Sequence, residues 1–191
     1  MKSVCHITSV HPINDVRIFH KECKSLAAAG FNVTLIACGD NYLETYNEGV
    51  KQIVLNIPVK NRVERMISRS NAIYIKALEL DADIYHFHDP ELLNIGLKLK
   101  HKGKKVIYDS HENTTVLIKT RKWIPKIFRR VLSFFFEKYE KRIVKNFDAI
   151  ITVTPQIVEK FKEINDKTYL ITNYPTINIS KVNDKKSNYL C

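Results

Sequence analysis

At 191 residues, with 45% hydrophobic and 27% charged residues, the chain can bury one substantial core and is too apolar to be disordered. It has no apolar run of bilayer-spanning length and no signal-peptide pattern in Met1–His6, so a cytoplasmic location is expected. The formal charge of +11 directs attention to polyanionic partners, whereas Cys5, Cys23, Cys38 and Cys191, with no C-x-x-C pair and no regular spacing, suggest neither a zinc knuckle nor a disulfide framework.

In chain order, Val4–Thr8 is a short apolar run that stops at a polar loop, Ser9–Asp15. Helical spacing follows, with Phe19, Cys23, Leu26 and Ala27 on one face; Asp15 is placed to cap this helix and Gly30 to end it. Val33–Ala37 then reads as a buried strand, and the strand–helix–glycine–strand order is a βαβ unit that implies a parallel sheet. The rhythm continues through strands at Gln52–Ile57, Asp83–Phe87, Lys105–Tyr108, Ala149–Val153 and Thr168–Ile171. Helices are expected at Arg62–Leu80, Pro90–Lys100, Trp123–Asn146 and Pro155–Ile164. About seven strands alternating with helices predict an α/β fold, a Rossmann-like doubly wound, mainly parallel sheet with helices on both faces. One domain spans residues 1–175, and residues 176–191 read as a polar, disordered tail or the start of a linker to a further domain.

Doubly wound sheets bind ligands beyond the C-terminal ends of their strands, and the unusual polar residues collect there. His11, Asp15 and Arg17 follow the first strand; His86, His88, Asp89 and Glu91 close and follow another; Asp109, His111, Glu112 and Asn113 follow a third; Asn173 follows the last. The first loop has no G-x-G-x-x-G and there is no glycine before Gly30, which argues against a dinucleotide site. Arg17 and Lys21 at a helix N-terminus suit an anion or a sugar hydroxyl; the plainer reading leaves Asp15 as a cap and Arg17 in solvent.

Strand alternation puts His86 and His88 on one face, the geometry of a metal pair, but no third ligand carries a motif of its own. The preferred reading therefore has no metal: His86 packs in the strand, and His88 and Asp89 emerge to bind hydroxyls or to cap the helix begun by Pro90. His111 is placed to donate to a phosphate or sugar oxygen, with a carboxylate neighbour fixing its tautomer.

Residues 117–146 carry ten basic side chains against Glu137 and Glu140, leaving +8 of the chain's +11 in this stretch. Ile124, Phe128, Val131, Leu132, Phe135, Tyr139 and Ile143 form a stripe expected to pack on the sheet, with Trp123, Ile127, Phe134 and Phe136 partly outside it. Basic residues with spare aromatics suit an interfacial membrane contact through Trp123, Lys126, Arg129, Arg130 and Phe134. A core helix with a solvated basic back is the alternative. No recognised reading module accompanies the charge, so nucleic acid is not expected as a partner.

Three segments carry a family resemblance: His6-Ile7-Thr8-Ser9-Val10-His11-Pro12 with Asp15, Arg17, Ile18, Phe19, Lys21 and Glu22; Ala82 to Leu92 with its Tyr85-His86-Phe87-His88-Asp89-Pro90-Glu91; and Tyr108-Asp109-x-His111-Glu112. Together, and in this order, they resemble bacterial family-4 glycosyltransferases that make surface polysaccharides. The resemblance implies a glycosyltransferase-B fold of two Rossmann-like domains across a cleft. In that fold the N-terminal domain binds the acceptor, often lipid-linked, and often touches the membrane, while the C-terminal domain binds the nucleotide sugar. Transfer in the family usually retains configuration and needs no metal. Carried over, His111 matches the histidine that approaches the donor sugar, His11 to Arg17 match the loop lining the cleft, and Asn173-Tyr174-Pro175 resembles the crossover to the second domain.

The family's paired glutamates of the C-terminal domain have no counterpart here. The chain is thus expected to be the acceptor-binding half, inactive alone, with no cofactor of its own and a nucleotide-sugar donor bound only by a separate donor domain. His11, Asp15, Arg17, Lys21, His88, Asp89, Glu91, Glu112 and Asn173 are the expected substrate-binding residues, and the expected partners are a glycan or lipid-linked acceptor and an anionic membrane surface at the inner face of the cell membrane. A non-catalytic Rossmann-like binding or regulatory module, or a subunit of a split transferase, is the alternative.

Overall fold

The computed structural model describes residues 1–174. Eight strands form one sheet: β1 (Ser3–Ile7), β2 (Asn32–Gly39), β3 (Leu43–Asn47), β4 (Val50–Asn56), β5 (Ile84–Phe87), β6 (Lys105–Ser110), β7 (Ala149–Thr152) and β8 (Thr168–Leu170). Their order is β3-β4-β2-β1-β5-β6-β7-β8, and every pairing is parallel except β3 with β4. The chain winds outward from β1 in one direction through β2 and β4, then restarts beside β1 with β5 and continues to β8. The point of reversal between β1 and β5 is where a doubly wound sheet opens a crevice at its C-terminal edge.

Six helices cover the faces. Helix α1 is π-wound over Val16–Cys23 and α-wound over Lys24–Ala28; α2 is Arg62–Leu80; α3 is Leu93–His101, preceded by one 3-10 turn at Pro90–Leu92; α4 is Thr114–Thr120; α5 is Lys126–Val144; and α6 is Pro155–Lys162. Near-continuous apolar strands explain the sheet's burial on both sides. Ile7, Ile36, Ile53, Tyr85, Phe87, Val106, Tyr108 and Ile150 join the larger core, while Ile18, Phe19, Cys23, Val33 and Leu35 form a smaller one under α1. Phe87 stacks on Tyr108 with centroids 4.9 Å apart, and Gly96 lets α3 close onto them: a Cβ there would lie 2.5 Å from the Phe87 ring.

The expected α/β architecture is present, with three local differences. β3 is an added antiparallel edge strand, joined to β4 through Glu48 and Gly49, both at positive φ as a tight hairpin turn requires. Its five residues are mostly exposed, so they show no core alternation. The predicted helix Trp123–Asn146 begins at Lys126 instead, because the chain is still extended at Pro125; Trp123 lies in the preceding turn. The segment before that turn forms α4, with the Asn113 side chain accepting from Val116 N at its start.

Of the stripe expected to pack on the sheet, only Ile124 and Ile143 are buried, and Ile143 joins the core. Phe128, Val131, Leu132, Phe135 and Tyr139 are exposed, and α5 instead buries Ser133, Glu140, Ile143 and Val144. Ser133 Oγ donates to the Thr115 carbonyl at 2.9 Å, and Lys160 of α6 donates to Glu140, so these polar contacts with Ile143 and Val144, rather than the predicted stripe, face the protein. The tail 176–191 and Pro175 of the expected crossover lie outside the described residues.

Candidate active site

The site is built at the C-terminal ends of β1, β5 and β6 and roofed by the start of α1. Parallel register sets His6 of β1 directly beside His86 of β5, and the chain leaving β5 places His88 two positions on, on the same face. β6 ends with Asp109 and Ser110, then delivers His111. Helix α1 begins at Asp15, whose Oδ1 accepts from the backbone N–H groups of Arg17 and Ile18, both at 2.9 Å. Its π-winding then turns Arg17 and Glu22, five residues apart, to the same side. Arg17 Nε lies 3.0 Å from Glu22 Oε1, whereas α-winding would place two such residues about 140° apart around the helix.

Asp109 is the hub. It is fully buried, and Arg17 donates to its Oδ2 from Nε at 3.1 Å and from Nη2 at 2.8 Å. The same oxygen lies 3.2 Å from His111 Nε2, 3.7 Å from His88 Nδ1 and 3.8 Å from His86 Nε2. Burial by itself would raise this carboxyl, but the hydrogen bonds of His111 and His88 hold it well below the usual carboxylate range. Burial drives the three enclosed imidazoles the other way: His86 falls to about 3, and His6 and His88 are lowered with it, so all three are neutral at pH 7. Burial and the neighbouring Asp109 raise the Glu22 carboxyl against the pull of Arg17.

His111 is the imidazole of this group that reaches the surface. Its Nε2 sits between an N–H donor, Arg17 Nε at 3.2 Å, and an acceptor, Asp109 Oδ2 at 3.2 Å, with His88 Nδ1 at 3.4 Å. Accepting from Arg17 leaves Nδ1–H as a donor; donating to Asp109 leaves Nδ1 as an acceptor. The one ring can therefore serve either polarity of a sugar or phosphate oxygen.

Several expected site residues take different places. Arg17 is buried and fully engaged, its Nη1 donating to the Ile171 carbonyl at 3.1 Å; it neither lies in solvent nor stands free for an anion. His88 and Asp89 are buried rather than emergent. Asp89 Oδ2 accepts from Thr8 Oγ1, Ser9 N and Ser9 Oγ, and its side chain makes no cap for the following helix. Asp89 thus ties the β1 and β5 loops together beneath the crevice.

His11 is partly exposed, between Asp15 at 3.4 Å and Asp89 at 3.6 Å, with its ring centroid 5.6 Å from that of His111. Lys21 and Asn173 meet on the rim, Lys21 Nζ donating to Asn173 Oδ1 and to the Tyr174 carbonyl, both at 2.6 Å. Glu91 stands apart with Ser9 and Arg65, and Glu112 is exposed. Two members of the cluster, His6 and Glu22, belong to the first resemblance segment but were not expected in the site. His6 sits inside an apolar strand where only the β1–β5 register reveals its neighbours, and Glu22 lies on the wrong face of an α-periodic helix.

With this geometry in view, comparison with known proteins gives a consistent result. The sequence profile described as Glycosyltransferase Family 4 matches residues 16–174. The fold is similar to that of sucrose-phosphate synthase from Thermosynechococcus elongatus: TM-score 0.63, 17% identity, 90% of this chain and 48% of that one. It is also similar to the catalytic domain of starch synthase IV from Arabidopsis thaliana (TM-score 0.55, 12% identity, 90% and 51%) and to a glycosyltransferase from Rickettsia africae (0.52, 17%, 90% and 42%). The chain thus spans about half the length of these structures. None of the curated proteins matches it in sequence.

Proposed function

The chain belongs to glycosyltransferase family 4, and we propose that it is the acceptor-side half of an enzyme that passes a sugar from a nucleotide-sugar donor to a glycan acceptor. The reading extends to a lipid-linked acceptor used in surface polysaccharide assembly, handled at the inner face of the cell membrane. The observation that carries it is the His111 ring, held by the buried Arg17–Asp109 pair and partly exposed at the crevice between the two halves of the winding. A donor domain facing this edge would present its sugar to that ring.

In this reading His111 contacts the donor sugar. His11 lines the acceptor side beside it, and the Lys21–Asn173 pair fixes the rim where the chain leaves the sheet. Arg17, Asp109 and His88 do not touch substrate; they fix the orientation and proton position of His111. Attachment to the membrane falls to α5 and the turn before it, through Trp123, Lys126, Arg129, Arg130 and Phe134. All of these are exposed except Arg129, which is half-buried with its Nε donating to the Ile124 carbonyl. No helix among the described residues is long and apolar enough to cross a membrane.

The test is turnover by the chain joined to, or reconstituted with, its donor domain. His111→Ala is expected to lower kcat by about 10–100-fold, the worth of one hydrogen bond to a charge-bearing substrate, with the circular dichroism spectrum unchanged. Unaltered turnover would remove His111 from the active site.

A further inference from the structure

His6, Glu22, His86 and His88 each direct one ligand-competent atom into a single buried point, these atoms lying within 4.8 Å of one another. His6 Nδ1 and His88 Nε2 are 3.1 Å apart, and Glu22 Oε2 is 3.8 Å from each. The edges of a tetrahedron around zinc, with bonds near 2.0–2.1 Å, are about 3.3 Å long, so the His6, His88 and Glu22 spacings bracket the required size, with the His86 atom within 4.8 Å of them. Glu22 Oε2 is buried and has no hydrogen-bond partner, and His86 Nε2 is orphaned too; His6 faces the cluster with Nδ1. Four donor groups thus converge where one hydrogen bond, between His6 and His88, satisfies two of them.

The surroundings supply what an ion at this point requires. His88 turns its other nitrogen, Nδ1, toward the Asp109 carboxylate at 3.7 Å, the carboxylate–histidine arrangement that orients metal-binding imidazoles. Glu22 is likewise held from behind, by Arg17 on its Oε1. All three rings are buried in the sheet edge, and Glu22 is part-buried beside them.

We propose that His6, Glu22, His86 and His88 form a closed, four-ligand site for a divalent transition-metal ion, zinc foremost. Three imidazoles and one carboxylate suit zinc by donor type and number, and a fully protein-ligated tetrahedron is the arrangement of structural rather than catalytic ions. The ion would pin β1, β5 and the π-wound turn of α1 to one another directly beneath His111. Its effect on the reaction would be positional, through His88 and Asp109. This inference does not depend on the transferase reading, because binding is measured without turnover.

The experiment uses the full chain without a histidine tag, stripped with a chelator and titrated with Co2+. One equivalent is expected to produce the visible ligand-field bands of four-coordinate cobalt, and one equivalent of Zn2+ to abolish them. Glu22→Gln and His86→Asn should each lose the bands, while His101→Ala, far from the cluster at the end of α3, should keep them. Asp109→Asn, which alters the partner behind His88 and the ion pair with Arg17 together, is expected to weaken binding about 10–100-fold. Far-UV circular dichroism of the stripped proteins separates lost ligation from lost fold, and a chain that unfolds on stripping and refolds with zinc also supports the site. No cobalt bands in the folded wild-type chain, or bands of equal strength in Glu22→Gln and His86→Asn, would overturn it.

Discussion

Asp109 has no exposure to solvent, and Arg17 is its one always-charged neighbour. An acid in that position is tolerable only while its counter-charge and hydrogen bonds stay in place. Arg17→Met should therefore cost about 3–5 kcal/mol in urea unfolding, because it strands a buried carboxylate. Arg17→Lys should recover only part of this, since a single ammonium cannot place two N–H groups on Asp109 while also reaching Ile171. A loss below about 1 kcal/mol for the methionine variant would put Arg17 among ordinary surface ion pairs. At this scale the sequence was partly legible. The strand-end rule located His11, Asp109 and His111 at the right edge of the sheet, but not which groups would be buried. Arg17 meets Asp109 across 92 positions and Glu22 across a π-turn, and neither relation leaves a periodic trace.

The elements were legible where apolar periodicity was strong. Seven strands and the long helices stood out, whereas β3, mostly exposed, and α4, seven residues long, did not. Helix α5 shows why a stripe can mislead: its most apolar face points outward because two polar anchors, Ser133 and Glu140, hold the opposite face together with Ile143 and Val144. Lys160 Nζ bonds Glu140 of α5, Thr115 Oγ1 of α4 and the Asn113 cap, so one ammonium joins three helices. Burial raises the Glu140 carboxyl above its ordinary value against the pull of Lys160. Lys160→Met is expected to destabilise the chain by about 3–5 kcal/mol, and adding Glu140→Leu should restore most of that, since replacing both partners removes the stranded charge. A double-mutant cycle by denaturant unfolding checks this; additive losses would mean that the two groups act independently.

Across the whole molecule, the +11 charge and the exposed apolar area coincide rather than offset one another. Most of the charge lies between residues 117 and 146, where Trp123, Ile127, Phe128, Val131, Leu132, Phe134, Phe135 and Tyr139 are 42–78% exposed. So many large apolar side chains on one helix and its lead-in turn form a patch beyond what a soluble surface ordinarily carries, and basic residues interleave with it. Each apolar side chain fully buried contributes about 1.5–3 kcal/mol, and each Lys or Arg near an anionic leaflet about 1 kcal/mol. The sum supports the proposed lipid interface, with α5 lying on the membrane rather than across it, since it mixes charges throughout. Vesicles containing phosphatidylglycerol should therefore bind the chain, pure phosphatidylcholine vesicles should bind it much less, and added salt should weaken the attachment. Ile127→Ser with Phe135→Ser should reduce binding about 100-fold without loss of stability, because both side chains are exposed. Lys126→Glu with Arg130→Glu should abolish the preference for anionic lipid while leaving the apolar component. Sedimentation with vesicles reads all of these directly. Equal binding by wild type and the serine variant would mean that the stripe is covered by protein, and the membrane would then have to be met by another face.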